Sequence, residues 1–197
     1  MAKLYYQGHG SYRFTTDAGE AIYVDPYVGE GYDVLADLVI VTHEHYDHNK
    51  VELVTLKEGG EIWRACDLLV NGEYITKTKG TVSVTAVEAY NKNHKKEECI
   101  GFVIELDGKK VYGSGDTNTT EHMSSILPGM NLDWAILCTD GEYNMSVEEA
   151  SSCAKVIGAK KSIPIHTNVG MLYDPTVAEK FECESRVLIA PNDEITL

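Results

Sequence analysis

Three histidines and one aspartate fall within six consecutive positions, His43, His45, Asp47 and His48, in the run VTHEHYDHNK. Imidazole nitrogen and carboxylate oxygen are borderline donors that suit Zn²⁺, Mn²⁺ or Fe²⁺. The cluster follows directly on the apolar run Leu38 to Val41. Loops held at the tip of a rigid, buried strand are where folds often present their chemistry. Four neighbouring side chains cannot all reach one ion without strain, so a closed site needs donors from elsewhere in the chain.

Three further residues are candidates. Asp107-Gly108, between Ile100–Leu106 and Lys109–Tyr112, is a two-residue hairpin signal. Pairing across it sets Leu106 opposite Lys109 and, continued, residue 99 opposite Asp116, which lets His94 approach Asp116 at one end of the hairpin. His166 ends the apolar run Ser162-Ile163-Pro164-Ile165 and therefore sits at another strand tip. The full set of five histidines and two aspartates suffices for two ions that share one bridging carboxylate. Ser114-Gly115-Asp116 does not offer a serine nucleophile instead, because the G-x-S-x-G spacing is missing.

The elements that must position these residues are mostly strands. Lys3 to Tyr6, Tyr12 to Thr15, Ala21 to Val24 and Thr81 to Ala86 read as short strands bounded by turns. Trp134 to Cys138 and Ser162 to Ile165 read as strands covered on both faces. Ser146-Val147-Glu148-Glu149 reads as a capping box opening a helix that Gly158 closes, and Asp174-Pro175 reads as a second helix start. Weaker helical patterns follow His48 and Thr119. Meandering strands followed by strand–helix alternation predict an α/β architecture of mixed sheets with helices outside.

The 197 residues fit a single domain, 1–197. Seventeen basic against thirty-one acidic residues give a net charge of −14, a field that repels phosphate backbones and anionic lipids. Nucleic acid and membrane are accordingly not expected partners, and a small-molecule substrate is, with an anionic one admitted by the local charge of a metal. The first residues lack the apolar run of a signal peptide, and no stretch approaches the roughly 18 apolar residues of a membrane span, so a cytoplasmic location is the expectation. Five cysteines without a C-x-x-C pair argue against a disulfide framework.

THEHYDH, His94 ahead of CIGFVIELDGKKVYGSGDT, then YNMSVEEA and IPIHT resemble the successive motifs of the metallo-β-lactamase superfamily. GHGSYRF and IYVDP are similar to its branch of metal-dependent hydrolases related to ascorbate-6-phosphate lactonase. The resemblance implies a four-layer αβ/βα sandwich with the metals at one edge of two facing sheets. It implies His43, His45 and His94 on a first divalent ion, Asp47, His48 and His166 on a second, and Asp116 between them, with Zn or Mn as the metals and Fe as a third option. His9 and Asp25, in the family-like motifs, are expected to orient the ligands.

The implied activity is that of a dinuclear hydrolase in which a metal-bridging hydroxide attacks a small ester, lactone or phosphoester, Asp47 orienting the nucleophile and shuttling its proton. Thr117, Tyr143, Asn144 and the lysines flanking His94 are the expected substrate contacts. The alternatives are a phosphodiesterase, an iron-dependent oxidoreductase or dioxygenase on the same fold, and a non-catalytic metal-binding module. Metal identity, oxygen consumption and ester turnover separate these readings.

Overall fold

A computed structural model describes all 197 residues. The strands are β1 (Lys3–Gly8), β2 (Ser11–Thr15), β3 (Ala21–Val24), β4 (Ala36–Val41), β5 (Leu56–Arg64), β6 (Leu69–Val70), β7 (Glu73–Tyr74), β8 (Thr76–Lys79), β9 (Val82–Glu88), β10 (Ile100–Leu106), β11 (Lys109–Gly113), β12 (Trp134–Cys138), β13 (Lys161–Ile165) and β14 (Glu194–Thr196). The α-helices are α1 (Ala65–Leu68), α2 (His122–Ser125), α3 (Val147–Ile157) and α4 (Pro175–Ala178).

The large strands form two six-stranded sheets, β14-β1-β2-β3-β4-β5 and β13-β12-β11-β10-β9-β8, and β6 and β7 pair separately. Both sheets follow one plan. Three antiparallel pairings are followed by two parallel ones, from β3 to β5 in the first sheet and from β11 to β13 in the second. The predicted strands are all present, and Ala21–Val24, Ile100–Leu106 and Trp134–Cys138 keep the predicted bounds.

Period-two alternation explains the layering. Ile22, Leu38 and Ile40 point inward and meet Ile100, Phe102, Ile104 and Ile136 of the other sheet in one core of 26 buried residues. The residues between them face outward: Tyr23, Val39 and Val41 on one side, Val103, Ala135 and Leu137 on the other. Both faces of the central strands are therefore covered, which is why β12 reads as an unbroken apolar run.

The outer cover of the second sheet is α3, whose Val147, Ala150, Cys153, Ala154 and Ile157 are buried at helical spacing. Ser146 accepts a hydrogen bond from the Glu149 amide, and Gly158 closes the helix at φ 69. The expected reciprocal half of the capping box is absent: the Glu149 carboxylate instead accepts from Asn118, the Thr119 amide and the Thr119 hydroxyl, fastening the helix to the segment after Asp116. The weaker patterns give only a 3₁₀ turn at Val51–Leu53 and the four-residue α2. No helix is long and apolar enough to cross a membrane.

The strands that sequence patterning missed lie mainly on sheet edges. β5 carries Lys57, Glu58, Gly59 and Gly60, β8 is Thr-Lys-Thr-Lys, and β14 has three residues. Edge strands are kept polar and irregular against unwanted pairing, and this erases the apolar alternation by which strands are recognised. The β10–β11 register agrees with the predicted pairing from Leu106↔Lys109 to Phe102↔Gly113, but the ladder ends there. Residue 99 and Asp116 are not a ladder pair; the chain turns at Gly115, φ 58, to deliver Asp116.

Phe102 is fully buried between the sheets, whereas Val156 is 52% exposed on α3. Phe102→Ala should cost about 3–5 kcal/mol and Val156→Ala less than about 0.5 kcal/mol of unfolding free energy. Chemical denaturation checks the pair, and equal losses would contradict the assigned core.

Candidate metal centre

One edge of the sandwich collects the ends of six strands. His9 sits in the β1–β2 turn, Asp25 follows β3, His43 to His48 follow β4, Asp116 follows β11, Asp140 follows β12 and His166 follows β13. The loop from β9 to β10 adds His94. The sheets are tied together there, since the Ile100 amide donates to the Thr42 carbonyl and the His166 amide donates to that of His9. His9, Asp25 and His166 all adopt positive φ, 53°, 44° and 47°, a conformation that non-glycine residues hold only where surrounding structure enforces it.

His43, His48 and His94 each turn Nδ1 toward a hydrogen-bond partner. His48 Nδ1 donates to Asp25 Oδ2 at 3.0 Å and His94 Nδ1 to Asn91 Oδ1 at 2.9 Å. The Thr42 hydroxyl donates to Asp25 Oδ2 at 2.7 Å, so the 3.0 Å contact between Thr42 Oγ1 and His43 Nδ1 requires the imidazole to donate. His166 Nδ1 lies 3.4 Å from Asp140 Oδ2 without hydrogen-bonding to it. With Nδ1 of neutral His43 and His94 carrying the proton, their Nε2 holds a lone pair.

Nε2 of His43, His48, His94 and His166 is buried without a hydrogen-bond partner. Those of His48, His94 and His166 lie 3.4, 3.5 and 3.6 Å from one atom, Asp116 Oδ2. Buried polar atoms are normally paired, so three orphans converging on a carboxylate, with a fourth on His43 beside them, fit the donor set of a metal centre. Donor atoms lie within 4.8 Å of one another in His43–His45–His94 and in His9–Asp47–His48–His166. This chemistry fits two divalent cations with nitrogen and oxygen ligands.

All seven residues expected to hold metal are thus gathered at one place. His9 and Asp25 lie against them: His9 Nε2 is 3.4 Å from Asp47 Oδ2, and its ring centroid is 3.7 Å from that of His166 with the planes tilted by 41°. Asp25 also accepts from the Thr42 amide at 2.7 Å. Gly10 explains the spelling Gly8-His9-Gly10, because a Cβ there would come 2.6 Å from His48 Cε1.

Charge distribution follows from burial and proximity. Burial opposes ionisation of Asp116, yet the His48 and His166 imidazoles hold its pKa well below the usual carboxylate range. Burial lowers His43 and His94, and lowers His166 to about 4. His48 also resists charging through burial, but Asp116 and Asp25 together push it well above the usual range. Asp47 is held low because hydrogen bonding from His9 and the charge of His48 outweigh its partial burial.

The expected substrate contacts need correction. A cleft of about 390 Å³ opens over Asp47, His94, Asp116 and His166, and Tyr143 lines it, as does Asn93, but Thr117 and Asn144 do not. Thr117 is fully buried, its hydroxyl accepting from the Tyr90 amide and donating to backbone carbonyls. Asn144 is buried too, and its Nδ2 donates to Asp116 Oδ2 at 2.8 Å and to Asp140 Oδ2 at 2.6 Å. The lysines flanking His94 also turn elsewhere: Lys95 pairs with Glu98, Lys96 with the buried Glu88, and Lys92 is exposed outside the cleft lining. Sequence reasoning missed Thr42 and Asn91, partners of Nδ1, and Asp140, which lies beside that of His166. Thr42 and Asn91 stand one and three residues before the histidines they hold, a local spacing that was there to be read, whereas Asp140 is 26 residues from His166 and carried no signal.

Gly10→Ala should push the His48 ring aside and weaken the affinity of the metal-loaded site by about tenfold or more, measured by competition with a chromogenic chelator. Unchanged affinity would show that His48 needs no such clearance. In metal-free protein, the unfolded chain protonates its histidines near 6.5 while folded His166 resists until about 4. Its contribution is complete above 6.5 and is lost as pH falls toward 4. His43 and His94 act in the same sense, and His48, raised instead, offsets one of the three. The denaturant midpoint of the metal-free protein should therefore fall between pH 7 and pH 5, and a rise would contradict this balance.

The sequence model of the β-lactamase superfamily domain matches residues 3–166. A UPF0173 metal-dependent hydrolase of Methanoregula boonei is 36% identical over 166 residues, 75% of this chain and 74% of its own. Another from Methanospirillum hungatei is 30% identical over 183 residues, 84% of this chain and 83% of its own. Among solved structures, Igni18, a metallo hydrolase from Ignicoccus hospitalis, superposes with a TM-score of 0.76 at 22% identity, covering 98% of this chain and 97% of the other. With its sandwich, its motif order and relatives matched over most of their length, the chain belongs to the β-lactamase superfamily and has the metallo-β-lactamase fold.

Proposed function

We propose that the protein is a metal-dependent hydrolase with a dinuclear centre, acting on a small ester, lactone or phosphoester. The observation that carries this reading is the convergence of unpartnered imidazole Nε2 atoms on Asp116 Oδ2 at the floor of an open cleft. Relatives carrying the name metal-dependent hydrolase support the same reading. His43, His45 and His94 would hold one ion, Asp47, His48 and His166 the other, and Asp116 would stand between them. Zn²⁺ or Mn²⁺ suits this nitrogen and oxygen set, and Fe²⁺ is also compatible with it. Such ions, when bound, supply a hydroxide nucleophile near neutral pH and polarise the bond under attack.

The chain's own residues set the geometry of the reaction. Asp25, Thr42 and Asn91 hold the imidazole rings of His48, His43 and His94 from behind, so no rearrangement of these is needed when substrate arrives. Asp47 lines the cleft as an ionised carboxylate and can accept a hydrogen bond from the attacking water, fixing its direction. Its lowered pKa suits orientation better than proton storage. Asn144 donates to Asp116 and keeps that carboxylate from rotating. In the overall step the water oxygen adds to the acyl carbon or phosphorus, the ester C–O or P–O bond breaks, and the alcohol leaves with a proton from the water.

No cysteine belongs to this machinery. Burial pushes the Cys99 thiol up to about 12 and raises those of Cys138 and Cys153, and Cys66 is exposed away from the cleft. Turnover of 4-nitrophenyl acetate by Zn- or Mn-loaded protein should therefore survive iodoacetamide and stop on chelation. Loss on alkylation would contradict the assignment. Oxygen uptake by iron-loaded protein, with every ester at its uncatalysed rate, would replace the hydrolase reading with the oxidoreductase one.

A further inference from the structure

The walls of the cleft differ from its floor. Above the histidines and aspartates stand Tyr46, Tyr143 and Val169, which are 71%, 49% and 39% exposed, and the only other polar wall is Asn93. Tyr46 packs edge-on against Tyr27 at 5.9 Å, and Tyr27 lies 5.3 Å from the ring of His9, so this aromatic wall is continuous with the metal-site floor. The segment carrying Val169 is anchored beside it, with the Leu172 carbonyl accepting from the His9 amide. Large apolar side chains gathered at a cleft mouth mark a contact surface, whereas the same residues scattered singly do not.

No lysine or arginine lines the cleft. Of the basic side chains around it, Arg64 pairs with Glu44, Lys95 with Glu98, Lys96 with Glu88, and Lys50 lies over the face of Tyr27 at 4.4 Å, while Lys92, next to Asn93, is exposed outside the cleft lining. Proteins that bind phosphate or carboxylate groups provide Arg, Lys or a row of backbone amides for them. Here the net charge of −14 adds a repulsive field of its own.

We infer that the cleft selects an uncharged ester or lactone whose acyl part carries an aromatic or aliphatic group, which rests against Tyr46, Tyr143 and Val169, and that it disfavours phosphate- or carboxylate-bearing esters. This deepens the hydrolase reading and rests on it for the reacting bond. The preference itself is a property of the walls and can be read by binding alone. Water adds its oxygen to the acyl carbon, the acyl C–O bond breaks, the leaving oxygen takes a proton from the water, and the products are a carboxylic acid and an alcohol, joined in one hydroxy acid when the substrate is a lactone.

Three esters with one leaving group test this on the metal-loaded enzyme: 4-nitrophenyl 3-phenylpropanoate, acetate and hemisuccinate. Phenylpropanoate should have the highest kcat/KM and hemisuccinate the lowest, about tenfold or more below it, with the gap narrowing as salt screens the field. Tyr46→Ser and Tyr143→Ser should each raise KM for phenylpropanoate about three- to tenfold and shift that for acetate by clearly less. On metal-free protein, calorimetry should show 3-phenylpropanamide binding and succinamate not binding, with the former weakened by either substitution. A preference for hemisuccinate, or tyrosine variants that shift phenylpropanoate and acetate alike, would overturn the inference while leaving the hydrolase reading in place. Should no ester be turned over, the hydrolase reading fails, and the calorimetric comparison still decides whether the walls select uncharged apolar groups.

Discussion

Everything at this site depends on which ring nitrogen of each histidine is already occupied. Hydrogen bonds from Nδ1 to Asp25, Asn91 and the Thr42 hydroxyl commit one nitrogen of His48, His94 and His43 to the protein. The other nitrogens then have nowhere to point but inward, toward Asp116. A neutral imidazole of fixed tautomer, as burial favours at His43 and His94, is a prepared metal donor, since neither a proton nor a rotamer has to change on binding, whereas His48, held charged by Asp116 and Asp25, gives up its Nε2 proton to the metal. Asp25 is the hub of this outer layer, serving the Thr42 amide, the Thr42 hydroxyl and His48 with its two oxygens.

The cost of that arrangement is distributed through the fold. Leaving several buried nitrogens without partners is destabilising, and holding His9, Asp25 and His166 at positive φ adds strain. The two sheets offset these costs with a continuous apolar core, and their matched plans bring strand ends together at one edge. The parallel strands matter most, because β3, β4, β11, β12 and β13 all run toward the site and deliver Asp25, the histidine cluster, Asp116, Asp140 and His166 in turn. The cleft walls Tyr46, Tyr143 and Val169 stand on the loops beyond these strand ends.

What was legible in the sequence is what chemistry or burial writes locally. The central strands were readable because both faces are covered, and the metal donors because their types are uncommon and densely spaced. The edge strands β5, β8 and β14 were not, since an edge is kept polar for reasons unrelated to packing. Thr117 and Asn144 were assigned to substrate by their nearness in sequence to site residues, but a side chain's direction depends on the turn that carries it. Thr117 closes a backbone turn against Tyr90, and Asn144 points back at Asp116 and Asp140. Asp140 went unnoticed because its partner His166 comes from the neighbouring parallel strand, a pairing no local pattern records.

The central claim is that Asp116 lies between two ions. Elemental analysis of protein reconstituted with Zn²⁺ or Mn²⁺ and freed of excess metal tests it most directly, read as ions per chain for the native protein and for Asp116→Ala. The account predicts close to two for the native chain and a clear fall in the variant, because both ions lose the same ligand. Native protein that holds a single ion, or two ions that persist unchanged in Asp116→Ala, would contradict it.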